Sequence, residues 1–453
     1  MKKKFSADLS TTQMILLSFL LAILIGSILL ALPISSASGE AVAYIDALFT
    51  ATTSVCVTGL VTVSTVSTWS IFGQVVILLL IQVGGLGVIT ILSGLMLSLH
   101  RKIGIGDRML IQDAFNLNTL SGMVKFIKKV ITGTFVVELA GALCYMTVFI
   151  PEFGAKGIWI SIFNSVSAFC NAGIDIIGDD SLCRYVSHPI INIVTSALII
   201  LGGIGYVVWW DVIRVSKNIK RQKLKCFQML TLHSKIALLT TGILIFAGAV
   251  VFFVFEYNNP LTMKDYSFWD RVQASFFQSV TTRTAGFATI PQQNLTNASS
   301  IVSLLLMFIG GSPVGTAGGI KTVTTAILLV SALSTIRGND EVVLFGRAIS
   351  KEAVSKGVAV VSMSFIIMFI STILLSAVTN ANALDIAYET VSATATVGLT
   401  RNLTPMLNFW GKIIIIITMY LGRVGPISMV IAFNTRKEKR NIIKNPTEEI
   451  SVG

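Results

Sequence analysis

Apolar residues run through this chain in long blocks, and the polar positions between the blocks follow one pattern four times over. A helix that crosses a bilayer needs about 20 apolar residues. Runs of that order extend from Met14 to Leu32, about Ser70 to Leu99, Val130 to Ile150 and about Ile190 to Val215. Others extend from Ile236 to Phe255, Val358 to Ala377 and Phe409 to Phe433. One further run breaks at Gly310–Gly319 and resumes at Val323. The pattern predicts eight spans. The first is longer than a signal-peptide core, so it is read as retained.

Between the two spans of each pair lies a short, mildly amphipathic stretch that predicts a short helix. These are Ala47–Ser54, Phe163–Phe169, Phe276–Thr282 and Tyr388–Thr394. Each leads into a glycine-centred turn: Val57-Thr58-Gly59, Asn171-Ala172-Gly173, Thr284-Ala285-Gly286 and Thr396-Val397-Gly398. The four glycines recur at intervals of about 113 residues, which marks a structural repeat. Downstream, each unit carries a second glycine cluster that weakens the middle of the returning helix: Gly84-Gly85-Leu86-Gly87, Gly202-Gly203-Ile204-Gly205, Gly310-Gly311 and Gly422-Arg423-Val424-Gly425. The units are therefore set at residues 1–100, 101–217, 218–337 and 338–453. The expected fold is an all-α integral membrane protein. Its four helix–re-entrant pore loop–helix units stand in pseudo-fourfold arrangement around a single pore.

Composition agrees: 53% of the 453 residues are hydrophobic and only 12% charged. A net charge of +12 could point to nucleic acid, but its distribution does not. About 25 of the 34 Lys and Arg residues fall on alternate links and at the termini, the positive-inside pattern. Both termini are thus expected in the cytoplasm, with the glycine turns on the outer side. The five cysteines form no CxxC pair, and His100, His188 and His233 stand in or beside loops without a catalytic motif. Isolated buried thiols and no enzyme activity are expected.

Four inward glycine turns have a specific chemical use. Carbonyl oxygens aimed at an axis replace the water shell of an alkali cation, as in the TVGYG filter of potassium channels. Thr396-Val397-Gly398 matches the first three letters of that filter. Glycine is needed where consecutive carbonyls turn inward, and the C-terminal end of a preceding short helix favours a cation. On the four glycines, the broken stretch from Gly310 to Lys321 and Arg423, the whole chain resembles the Trk/Ktr/HKT superfamily of potassium transporters. Within it, the chain resembles the KtrB/KtrD-like membrane subunit of bacterial Ktr systems. That resemblance implies K+ as substrate at the filter carbonyls, with Na+ a candidate coupling or activating ion. It also implies a plasma-membrane homodimer resting on a cytoplasmic ring of nucleotide-binding KtrA/KtrC-like subunits. Relatives with serine at the first filter glycine prefer sodium, and Gly59 at that position favours potassium. A secondary transporter of another cation or small solute would show two related halves rather than four quarters.

Single residues follow from this frame. Gly310, Gly311, Ser312, Pro313, Gly315, Thr316, Gly318 and Gly319 cannot stay helical, so they are expected to form a gating loop inside the protein, below the filter. Arg423 is expected to hold that loop through its carbonyls or the side chains of Ser312 or Thr316, since a lone arginine at that depth costs roughly 2.5–3.5 kcal/mol. Arg283 and Glu389 are expected to pair behind the filter. Asp175 is a candidate outer-mouth carboxylate. Glu138 is read as a hydrogen-bonding group within the bundle. The mixed link from Arg337 to Lys356, with Phe345 and Arg347, is expected to dock the regulatory ring.

Overall fold

In a computed structural model of the chain, residues 10–88, 90–91, 93, 123–217, 227–339 and 341–425 are described. The basic residues Lys2–Lys4, Arg101, Lys102, Arg108, Lys220–Lys225 and Arg436–Arg440 lie outside them, as does the first unit boundary.

The order of elements is cyclic. α1 (Thr11–Leu30), α2 (Tyr44–Cys56) and α3 (Ile71–Leu86) are followed by α4 (Met123–Phe153), α5 (Lys156–Cys170), α6 (Pro189–Gly203) and α7 (Tyr206–Ser216). Then come α8 (Leu232–Glu256), α9 (Phe268–Thr281), α10 (Asn297–Phe308) and α11 (Thr322–Ile336). A small hairpin, β1 (Val343–Leu344) and β2 (Arg347–Ala348), leads to α12 (Lys351–Val378), α13 (Ala383–Ala395) and α14 (Phe409–Val424). Long helix, short helix, turn and returning helix thus occur four times.

Polar caps set where the helices begin. Ser10, Ser70, Thr231, Ser267, Thr296, Ser350 and Asn408 each accept a backbone N–H of the helix they open. Such a cap contributes about 1 kcal/mol, enough to fix a start that a uniformly apolar run leaves undetermined.

Burial is inverted relative to a protein in water. Among the described residues, α1, α4, α8 and α12 are the helices long and apolar enough to cross a membrane. Their apolar side chains face outward: Leu139 on α4 is 61% exposed and Phe246 on α8 73%. The short helices form the interior, and their hydroxyl groups are buried with them. Thr52 donates to the Leu48 carbonyl (2.7 Å) and Ser54 to that of Thr50 (2.6 Å). Lipid outside and satisfied hydroxyls inside is the sorting a bilayer imposes.

Three of the returning helices break at their second glycine cluster, and the other breaks at Gly310–Gly319 as expected. α3 stops before Gly87 (φ 84°), α14 before Gly425 (φ 89°), and α6 and α7 meet at 101° across a break at Gly205 (φ 91°). α10 and α11 are separated by the whole segment 309–321. A positive φ cannot belong to a right-handed helix, and glycine adopts it without steric cost. Most of the expected runs beyond Gly87 and Gly425 fall outside the described residues.

Candidate functional site

Three short helices end directly in a left-handed residue, and the remaining one, α9, reaches one at Thr284 after a right-handed cap at Thr282. Val57, Asn171, Thr284 and Thr396 take left-handed backbone (φ 55°, 60°, 66° and 52°). Two residues on, Gly59, Gly173, Gly286 and Gly398 do so again (φ 98°, 65°, 84° and 97°). Left-handed backbone costs a non-glycine residue roughly 1–2 kcal/mol, so each turn needs compensating bonds. Thr58 N–H donates to the Thr53 carbonyl (2.9 Å), Ala172 N–H to Ser167 (2.8 Å), Ala285 N–H to Thr281 (3.0 Å) and Val397 N–H to Ser392 (2.8 Å). Hydroxyls add a second layer. Thr53 Oγ1 accepts Gly59 N–H (2.9 Å), Ser392 Oγ accepts Gly398 N–H (3.0 Å) and Ser167 Oγ accepts Ile174 N–H (3.1 Å). In the third turn Thr281 donates to the Phe287 carbonyl instead (2.6 Å).

The four turns converge. A Cβ built on Gly59 would stand 2.5 Å from the Ala172 carbonyl oxygen. On Gly173 it would stand 2.6 Å from that of Ala285, on Gly286 2.7 Å from that of Val397, and on Gly398 against that of Thr58. The order closes on itself, so the glycines form a ring in chain order with no room for a side chain. Among the described residues, the carbonyls of Thr58, Ala172, Ala285 and Val397 accept no hydrogen bond. Thr58 Oγ1, Thr284 Oγ1, Thr396 Oγ1 and Asn171 Nδ2 are also buried without a partner. Unpaired buried polar groups cost about 1–3 kcal/mol each. Oxygens left free in a closed ring have the chemistry to replace the water shell of a cation.

The expected ion pair between Arg283 and Glu389 does not form. Arg283 donates to the carbonyls of Thr241 (3.4 Å) and Gly310 (3.1 Å). Glu389 accepts from Thr400 (2.6 Å) and Thr404 (2.5 Å). The reason is position. Arg283 follows the end of α9, beside the Thr241 carbonyl of α8 and the Gly310 carbonyl just past the end of α10, whereas Glu389 sits mid-way along α13 against two hydroxyls downstream of Gly398. Each residue therefore braces a turn separately.

The segment 309–321 is satisfied by the break in another helix. Ser312 N–H donates to the Gly203 carbonyl (2.8 Å), Thr316 N–H to that of Gly202 (3.1 Å), and Tyr206 N–H returns a bond to Val314 (3.0 Å). The loop closes at its neck through Gly310 N–H to Ile320 O (2.9 Å) and Thr322 N–H to Gly311 O (2.9 Å). Helix breakers at this depth thus find partners in protein, as lipid supplies none. A Cβ on Gly318 would lie 2.8 Å from the Ala395 carbonyl, just before the fourth turn. Thr316 Oγ1 donates to Phe169 O and Asn171 Oδ1 (both 3.1 Å) at the second. The loop therefore lies against the helix side of the ring.

Arg423 finds a loop carbonyl, with one unexpected partner. It donates to Thr316 O (2.7 Å) and to Gly84 O (2.5 Å) on α3. The alternative acceptors are engaged elsewhere, since Ser312 Oγ bonds Thr322 Oγ1 (2.9 Å). Beneath the loop and ring lies a cavity of about 820 Å³ that Arg423, Gly315, Gly318 and Thr394 help to line. Lys321 also faces it and donates to Ala317 O (2.7 Å). It was not among the expected site residues, although a lysine two positions after Gly319 inside an apolar run was a usable signal.

On the far side of the ring two further ties were missed. Asp46, in the first turn of α2, accepts from Lys412 of α14 (2.6 Å) and from Thr62 (2.7 Å). Arg401 donates to Asp385 (2.7 Å), Ser300 (2.6 Å) and the Gln292 carbonyl (3.1 Å). These join the fourth set of helices to the first and third. Asp175, two residues after Gly173, accepts Ile177 N–H (3.2 Å), and burial pushes its carboxyl up to about 6. Glu138 does bond within the bundle, accepting from Gln82 (3.1 Å).

Comparison with known proteins agrees with this architecture. The TrkH family of cation transport proteins matches residues 2–444. The potassium/sodium uptake protein NtpJ of Enterococcus hirae is 39% identical over 459 residues, covering 100% of this chain and 99% of that protein. The Ktr system potassium uptake protein B of Bacillus subtilis is 39% identical over 442 residues, covering 97% and 96%. The crystal structure of the potassium transporter TrkH from Vibrio parahaemolyticus is similar in fold. Its TM-score is 0.74 at 16% identity, over 96% of this chain and 87% of that one.

Proposed function

The chain belongs to the TrkH family of cation transport proteins, a multi-pass membrane family and not a class of enzyme, and on that premise we propose that it carries potassium into the cell through the ring of glycine turns. The observation that carries this reading is the closed ring of Gly59, Gly173, Gly286 and Gly398 with its four unbonded carbonyls. The turns act as a selectivity filter: potassium exchanges water for carbonyl oxygens, with the free hydroxyls of Thr284 and Thr396 beside them. The loop 309–321 is the gate. Arg423 holds it against the ring, and its charge repels cations while the loop is closed.

Control comes from partners. Similarity to proteins named as parts of a Ktr system supports partnership with other components, and the arrangement proposed is a dimer of this chain on a cytoplasmic ring of nucleotide-binding subunits. The hairpin of β1 and β2 offers a contact, with Phe345 46% exposed although its ring also meets Phe227 (6.3 Å between centroids). Normal co-purification of the ring after charge reversal of Arg347 and truncation of Phe345 removes the hairpin from the interface.

The test of the filter is Gly59→Ser. A Cβ at φ 98° and 2.5 Å from the Ala172 oxygen must displace backbone, which alters the size and field of the ring. Discrimination of potassium over sodium is expected to weaken, read as rubidium uptake in competition with each ion. Unchanged competition by both ions removes Gly59 from the filter.

A further inference from the structure

The cavity under the ring presents two cations, and among the described residues no carboxylate lines it. Arg423 has five N–H donors and Lys321 three. Their partners are the carbonyls of Thr316, Gly84 and Ala317, which accept hydrogen bonds but do not neutralise charge. Two uncompensated cations at membrane depth are costly, and a transported cation raises that cost. At about 820 Å³ the space is of the size that takes an organic ligand.

One wall of the cavity is apolar. Ile15 and Phe19 come from α1, and Val360 and Ile367 from α12, both long helices with apolar faces turned outward. A free inorganic anion would meet the charges and leave this wall against water. An uncharged apolar ligand would cover the wall and leave the donors unmet. We infer that the cavity binds an anionic phospholipid, with its phosphate on Lys321 and Arg423 and an acyl chain along α1 and α12. The inference rests on reading the ring and loop as the permeation path. A lipid seated there fills the space beneath the ring and favours the closed loop.

Binding is tested without reference to transport. The full-length protein in detergent is offered phosphatidylglycerol, phosphatidylcholine or inorganic phosphate, and retention is read by native mass spectrometry. Retention of phosphatidylglycerol in preference to phosphatidylcholine is expected. Lys321→Gln should weaken it about tenfold, the scale of one lost charged hydrogen bond. Ile367→Trp, which narrows the apolar wall and keeps both cations, should weaken it too. Equal retention of both lipids by the wild type overturns the inference, and so does retention of inorganic phosphate that phosphatidylglycerol does not displace. Should Lys321→Gln fail to fold, the wild-type comparison still decides.

The second arm is rubidium flux in vesicles of phosphatidylcholine alone or mixed with phosphatidylglycerol. Wild-type flux should be lower in the mixed vesicles, and Lys321→Gln should lose that difference. Equal wild-type flux in both overturns the closed-state role. Absence of flux from every vesicle counts against the transport reading, and the binding result then stands or falls by itself.

Discussion

The glycine ring and the loop beneath it are both irregular backbone at membrane depth, but they are held in opposite ways. Each turn of the ring is bound by the helix that precedes it: Thr53 serves Gly59, and Ser392 serves Gly398, within one set of helices. The loop is bound mainly by other sets, through Gly202, Gly203 and Tyr206 of the second and Arg423 of the fourth. A segment fastened by its own neighbours keeps its shape when helices shift. One fastened across sets is released when they do. The difference fits the proposed roles, a rigid ring as filter and a movable loop as gate.

The largest expected effect breaks the ring itself. Gly286→Ala puts a Cβ 2.7 Å from the Val397 oxygen at φ 84°, adding at least about 1–2 kcal/mol of strain. Potassium uptake should be lost with the protein still in the membrane. Retained uptake would mean that the ring is looser than its geometry implies.

Loosening the loop should act in the other direction. Arg423→Ala removes two hydrogen bonds from a charged donor, each worth about 1.5–3 kcal/mol. Flux should rise and respond less to the regulatory subunit, and deleting residues 311–318 should do the same. Wild-type flux and regulation in both variants would sink the gate. A smaller loss is expected from Glu389→Gln, which weakens the bonds from Thr400 and Thr404 behind the fourth turn. Uptake should fall several-fold while the ion preference set by the other three turns persists.

The smallest effect is electrostatic. Asp175 titrates near 6, so it is charged above that pH and neutral below it. If it gathers cations at the outer mouth, apparent potassium affinity should weaken as pH falls through 6. In Asp175→Asn that dependence should flatten. A pH profile identical to wild type would return Asp175 to an ordinary loop acid.

The sequence made some of this contrast legible. Glycines 59, 173, 286 and 398 stood out because only a backbone demand repeats so strictly, and Gly310–Gly319 because no helix tolerates it. The partners of Arg283 and Glu389 did not. Opposite charges suggested each other, whereas the partners were backbone carbonyls at Thr241 and Gly310 for Arg283 and the donating hydroxyls of Thr400 and Thr404 for Glu389, which leave no charge signature. The breaks at Gly87, Gly205 and Gly425 were legible only as a weak middle marked by a glycine cluster, since the sequence does not say which glycine of a cluster takes the left-handed conformation.

The most direct measurement is the anomalous scattering of rubidium or thallium in crystals of the protein grown with either ion. Density on the axis of the ring, between the carbonyls of Thr58, Ala172, Ala285 and Val397, is the result this account predicts. A transport-competent protein whose bound ions lie elsewhere, with that ring empty, would contradict it.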